Sequence, residues 1–281
     1  MEVSYEDLLT PWGAIGCRKM GRGPRLLIAW HGFGEDSRAF ECLGKPLADS
    51  CTLYALDLPF HGQTQWQGAT YRPKQLCHIV DMVLARAGKT RFEAVGHSLG
   101  GRLWICLLPQ LASRMDALYL LAPDGLHTRA MGLAERLPLP LRQGLGCLAA
   151  RPTTVLPLLH RFGLIDDFAD RYLRHQLGDD ARRERLLHTW YSLARFPLGP
   201  AAARRRLAKG RVPTLVLLGQ DDKLVPNTAL RESLQGLDNV LLQEISADHR
   251  SICQEAAPFL NGGLLPYWNH FNVLLQRDRG R

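Results

Sequence analysis

Residues 92–101 read Phe92-Glu93-Ala94-Val95-Gly96-His97-Ser98-Leu99-Gly100-Gly101. An apolar, strand-like run passes through Gly-His-Ser-Leu-Gly and continues into Arg102-Leu103-Trp104-Ile105-Cys106-Leu107-Leu108, which is apolar at helical spacing. Strand, then G-x-S-x-G, then helix is the order a nucleophile elbow requires. Gly96 and Gly100 flank Ser98 at positions where a side chain would collide across so sharp a turn. The turn is expected to hold the Ser98 hydroxyl toward open space, with the Leu99 N–H at the first helical turn able to stabilise a developing oxyanion.

The apolar runs before and after this point repeat the strand–helix alternation of a parallel sheet. Arg25-Leu26-Leu27-Ile28-Ala29-Trp30 runs into His31-Gly32-Phe33-Gly34-Glu35-Asp36-Ser37, where Asp36 or Ser37 is expected to cap a helix reaching about Ala48. Cys51-Thr52-Leu53-Tyr54-Ala55-Leu56 is the next strand, and residues 74–87 read as a helix. Residues 117–123, 212–218 and 239–245 are further strands, and 13–19 is a short early one. Between 125 and 210 the alternation stops, leaving Leu, Arg and Pro with helical fragments such as 181–195. The expected organisation is an α/β core from 1–124 and 211–281, with 125–210 inserted as a helical lid. Residues 259–275 read as helix or loop packed on the core.

With 281 residues, 46% hydrophobic and 22% charged, the chain suits a soluble α/β protein with one large core. No stretch approaches the roughly 20 apolar residues of a membrane span, and MEVSYEDLLT does not read as a signal peptide. Seven scattered cysteines without close pairs read as reduced thiols, so a cytoplasmic protein is expected. Net charge is +8, and residues 125–210 hold fifteen Lys/Arg against seven Asp/Glu, the remainder being neutral. Those cations are interspersed with Leu, Pro and acids, which argues against nucleic acid. Three readings stay open for them: a solvated surface, recruitment of an anionic substrate, or weak contact with an anionic membrane surface.

Together these residues resemble an α/β-hydrolase-fold enzyme from His31 to Pro258. The motifs carrying the resemblance are His31-Gly32-Phe33-Gly34, Asp57-Leu58-Pro59-Phe60-His61-Gly62, the 96–101 elbow, Gly219-Gln220-Asp221-Asp222-Lys223-Leu224-Val225-Pro226, and Asp248-His249. The resemblance implies a mostly parallel, doubly wound sheet with flanking helices, a lid between two strands, and the order serine, acid, histidine. Ser98 is then the nucleophile and His249 the base, with the Phe33 and Leu99 N–H groups forming the oxyanion hole. Asp222 is the expected acid, with Asp221 and Asp124 as alternatives. His97 and Arg102 are candidate substrate-binding residues, Arg102 having a surface helix position as its plainer reading. The family often has glycine where Phe60 and Asp248 stand. The Phe60 ring is expected to add bulk at the site mouth, and Asp248 either to tune His249 or to face solvent.

No cofactor or metal is implied. Hydrolysis of a carboxylic ester or thioester through an acyl-serine is the leading expectation. Two alternatives accompany it: a lyase eliminating pyruvate from an anionic substrate, because Gly101-Arg102 is similar to the menaquinone-pathway synthase of this fold, and a non-enzymatic ligand receptor. Fold likeness alone does not choose among them.

Overall fold

The computed structural model of the chain describes residues 3–125, 137–148, 152–163, 165, 167–225 and 227–264. Its strands are β1 Val3–Thr10, β2 Gly13–Met20, β3 Arg25–Trp30, β4 Cys51–Leu56, β5 Gln65–Trp66, β6 Phe92–His97, β7 Met115–Leu121, β8 Thr214–Gly219 and β9 Val240–Ile245. The helices are α1 Glu41–Leu47, α2 Pro73–Ala87, α3 Leu99–Leu111, α4 Leu139–Leu148, α5 Pro152–Arg161, α6 Asp167–Leu177, α7 Asp180–Leu193, α8 Pro200–Gly210, α9 Asn227–Leu234, α10 Ile252–Glu255 and α11 Ala257–Asn261.

The sheet runs β1-β2-β4-β3-β6-β7-β8-β9, with β5 paired to β2. From β4 onward along that path every pairing is parallel, while β1/β2 and β2/β4 are antiparallel. β3 shows why its sequence is a continuous apolar run. Leu26, Ile28 and Trp30 face one core, against α2, α3, α8 and α9, while Leu27 and Ala29 face the other, against α1, α10 and α11. With both faces covered, alternation has no polar side to show. Helices on both faces of a mostly parallel sheet are the doubly wound arrangement expected from the motifs.

The chain leaves β3 to one side for β4 and returns on the other side as β6. Loops leaving β3 and β6 therefore splay apart at the carboxyl edge of the sheet, the place where this architecture opens a crevice. The elbow and the His31–Gly34 loop meet there.

Several elements differ from expectation. β1 and β5 lie outside the expected strands; β1 is a mostly exposed edge strand that carries Glu6 and Asp7. Asp36 does cap, accepting from the Arg38 N–H, but it opens a 3₁₀ turn Ser37–Phe40 before α1 begins. Helices α4 to α8 occupy the described part of 125–210; residues 126–136, 149–151, 164 and 166 fall outside it, as do Pro226 and the expected tail element beyond Leu264. Among the described residues no helix is long and apolar enough to cross a membrane.

Candidate active site

Ser98 has φ +46° and ψ −110°, a backbone state few L-residues adopt, between the end of β6 and the start of α3. The turn is clamped from both sides: the Ser98 N–H donates to Leu121 O at 2.9 Å, and its carbonyl accepts from the Asp124 N–H at 3.0 Å. Glycine is required beside it for space. A Cβ on Gly100 would run into the Trp30 carbonyl oxygen, and one on Gly96 into the backbone of Gly100 and Gly101. Trp30 and Trp104 stack at 3.8 Å beneath the turn, and the Trp104 ring N–H donates to Val95 O at 2.8 Å, locking α3 to β3 and β6.

The loop after β3 lies against the elbow. A Cβ on Gly32 would approach His97 Nδ1 at 3.0 Å and Ser98 Cβ at 3.3 Å. Among the described residues, neither the Phe33 nor the Leu99 backbone N–H has a protein acceptor, so both remain available. His31 beneath them is fully satisfied: Nδ1–H donates to Gly32 O at 2.7 Å and Nε2 accepts from the Leu58 N–H at 3.0 Å. That pattern fixes a neutral ring, and burial further lowers its pKa. His61 is likewise buried, Nδ1 bonded to Pro59 O at 2.9 Å, its pKa brought down to about 3 by burial.

The loops after β8 and β9 are stitched together by main-chain bonds from Gln220 N to Ile245 O at 2.9 Å and from Asp221 N to Ala247 O at 3.1 Å. This brings Asp222 Oδ2 within 2.7 Å of His249 Nδ1. The other oxygen, Oδ1, accepts from the Leu224 and Val225 N–H groups at 2.8 and 2.9 Å. Burial of the Asp222 carboxylate works to raise its pKa, but the bonds from His249 and these amides prevail and lower it. The Asp222 side chain is 1% exposed and that of His249 15%, so one imidazole edge stays open while the other is fixed.

The competing acids lie elsewhere. Asp221 is exposed. Asp124 faces Arg102 NH1 at 3.5 Å. Arg102 is 1% exposed and also donates to Phe196 O at 3.3 Å, so both terminal nitrogens of its guanidinium already face acceptors of the protein itself. The surface-helix reading of Arg102 is corrected accordingly: α3 is buried along nearly its whole length. His97, also 1% exposed, is closed between Glu35 Oε2 and the His249 carbonyl, each at 2.8 Å. Asp248 is exposed, the second of its two expected placements. Its Oδ1 accepts from the Arg250 and Ser251 N–H groups and the Ser251 hydroxyl, capping the turn before α10. Phe60 has φ +69°, which explains physically why glycine suits that position; its ring meets His188 of α7 edge-on at 4.8 Å. Arg185, also on α7, sits over the Phe33 ring at 5.9 Å.

Sequence reading missed Glu35 altogether. Its partner lies 62 residues away, and the one available signal was an acid inside the H-G-x-G loop facing a histidine before the serine.

A family model described as alpha/beta hydrolase fold matches residues 25–144. The chain has the α/β hydrolase fold. It is 27% identical over 273 residues to the dihydrolipoyllysine-residue acetyltransferase component of an acetoin cleaving system from Cupriavidus necator, covering 93% of this chain and 65% of that relative. The chain thus spans less than two thirds of that relative's length. It is 31% identical over 102 residues to a pimeloyl-[acyl-carrier protein] methyl ester esterase of Cronobacter sakazakii, covering 36% of this chain and 38% of the relative. Among solved structures, the thioesterase domain from the curacin biosynthetic pathway superposes with a TM-score of 0.67 at 15% identity, covering 93% of this chain and 99% of that domain.

Proposed function

We propose that this chain is a serine hydrolase cleaving a carboxylic ester or thioester through an acyl-serine. The observation that supports it most is the 2.7 Å contact of His249 Nδ1 with a buried Asp222 carboxylate, on loops at the same sheet edge as the strained Ser98 turn. In this reading Asp222 accepts the Nδ1–H and so leaves Nε2 bare to take the Ser98 proton as Oγ attacks the carbonyl carbon. The oxyanion is met by the Phe33 and Leu99 N–H groups. As the intermediate collapses, His249 returns the proton to the leaving alcohol or thiol. Water then repeats the cycle on the acyl-serine. The chemistry uses no cofactor.

Residues 125–210 act in this reading as a lid, supported by the contacts of Arg185 and His188 with the Phe33 and Phe60 loops. Neutral acyl substrates fit better than anionic ones, because Arg102 is already engaged by Asp124 and Phe196. The local likeness to an ester-cleaving relative points the same way.

The test is a panel of nitrophenyl and coenzyme A esters of graded chain length, run beside a pyruvate-elimination assay and fluorophosphonate labelling. Turnover of an ester with label on Ser98, abolished in Ser98→Ala, is expected. Pyruvate release without ester turnover establishes the lyase instead, and absence of both turnover and labelling leaves the receptor.

A further inference from the structure

His97 closes β6 immediately before Ser98, and both of its ring nitrogens face groups that only accept. Nδ1 lies 2.8 Å from Glu35 Oε2 and Nε2 lies 2.8 Å from the backbone carbonyl oxygen of His249. A neutral imidazole has one N–H, so it leaves a bare lone pair against one of these oxygens; an imidazolium satisfies both. The contrast with His31 nearby is direct. That ring meets one acceptor and one donor, and its neutral form is complete. A Glu35 hydroxyl could replace the ring proton only if that carboxyl were protonated. The Gly32 N–H donating to the same oxygen favours the carboxylate form.

The same Glu35 oxygen also accepts the Gly32 N–H at 2.8 Å. One half-buried pair therefore touches three loops: the loop carrying the Phe33 amide, the elbow carrying Ser98, and the loop carrying His249. We propose that His97 is a positioning residue held as an imidazolium, donating from both ring nitrogens to Glu35 and to the His249 carbonyl, and that this clamp sets the place of the His249 ring relative to Ser98. The role assigned to His249 rests on the hydrolase reading above; the charge on His97 does not.

The surrounding charges are compatible with that state. The His249 ring lies 4.9 Å from the His97 ring, with Asp222 behind it, so two carboxylates accompany two imidazoles. His31 is neutral, and burial holds the Cys253 thiol of α10 protonated, its pKa well above the ordinary value. A charged His97 without Glu35 would oppose the proton His249 takes up during attack.

The experiment is ¹⁵N NMR of histidine-labelled protein between pH 6 and 8, with His97 assigned by its absence from the His97→Phe spectrum, or from the Glu35→Gln perturbation if that variant does not fold. Two ring N–H signals from His97 are expected. A single one overturns the proposal, whether or not the protein turns over any ester. Glu35→Gln keeps the side-chain volume and removes the charge. It should shift the His249 ring resonances and lower kcat by about tenfold to a hundredfold, the scale on which small misplacements act, with KM within about twofold. Glu35→Asp should recover part of kcat. Unmoved His249 resonances in Glu35→Gln, or lower thermal stability at unchanged kcat, overturn the positioning role. Failure of wild-type Ser98 to take a fluorophosphonate label overturns the hydrolase reading, and the His97 N–H count still stands or falls separately.

Discussion

In the sheet, β3 buries every residue from Leu26 to Trp30, whereas Leu141, Leu145 and Leu158 on α4 and α5 and Phe162 just beyond lie open to water, Phe162 at 72% exposure. The charged residues divide the same way. Those of the sheet edge are buried or half-buried and committed: Asp222 to His249, Glu35 to His97 and Gly32. Many of those on α6 and α7 form exposed local pairs, such as Arg174–Asp170 and Arg183–Asp180. Exposed pairs of that kind contribute little to stability. The sheet edge is therefore built to hold atoms still, and the helices after β7 to present a surface. Substitutions should have large, geometric effects in the first region and small, additive ones in the second.

The strongest way to break this contrast is at the acid. Asp222→Asn removes the carboxylate that fixes the His249 tautomer, and kcat/KM should fall about 10⁴-fold, as for the same change in a Ser-His-Asp protease. Asp124→Asn touches the Arg102 pair instead and should cost less than tenfold. Steady-state kinetics on one nitrophenyl ester checks both; a crippling Asp124→Asn with a mild Asp222→Asn moves the acid to the end of β7.

Next in size is Gly100→Ala. The added methyl meets the Trp30 carbonyl oxygen, a backbone atom that moves only if β3 moves. The cost should be about 3 kcal/mol, the upper end for overpacking, read as a lower denaturation midpoint in urea. A change under about 0.5 kcal/mol would mean that α3 slides easily over β3, and the account of a rigid elbow would fail.

Glu35 sharpens the contrast through pH. Its folded pKa lies below the ordinary 4.5, at about 2. Such a carboxyl contributes stability in full above pH 4.5, and that contribution is lost as pH falls toward 2. At about 1.4 kcal/mol per unit, and discounted for a side chain 30% exposed, the contribution is roughly 2 kcal/mol. Wild type should therefore lose stability faster than Glu35→Gln between pH 4.5 and 2 in urea titrations. Parallel curves would show that the carboxylate carries no such burden.

How much of this was legible follows from the same division. The bounds of β3 and β4 coincide with the apolar runs because burial on both faces leaves an unbroken pattern. Ser98, His249 and Asp222 stand in motifs whose local order carries meaning. β1 escaped because its alternation of Val3, Tyr5 and Leu9 is broken by Asp7 and lies exposed at the sheet edge, Leu8 alone being buried. Arg102 carried two readings, substrate contact and plain helix surface, and its burial beside Asp124 and Phe196 arises only in the folded chain. The Glu35–His97 contact joins two loops by the parallel pairing of β3 with β6, and no local pattern announces it.

The smallest expected effect has the opposite sign and lies in the other region. Gly144 sits inside α4, exposed, with open space where a Cβ would stand. Glycine there costs backbone entropy in folding and contributes no contact, so Gly144→Ala should stabilise by about 0.5–1 kcal/mol if α4 unfolds with the rest. The qualification is where the measurement becomes informative. A helix that opens separately from the sheet would gain the same local stability, yet global unfolding followed at Trp30 and Trp104 would not register it. Amide exchange of α4 beside the global urea midpoint distinguishes the two. Slower exchange in α4 with an unmoved midpoint would make the helices after β7 an independent unit, as a lid requires; a midpoint rising together with the slower exchange would make them part of one cooperative body.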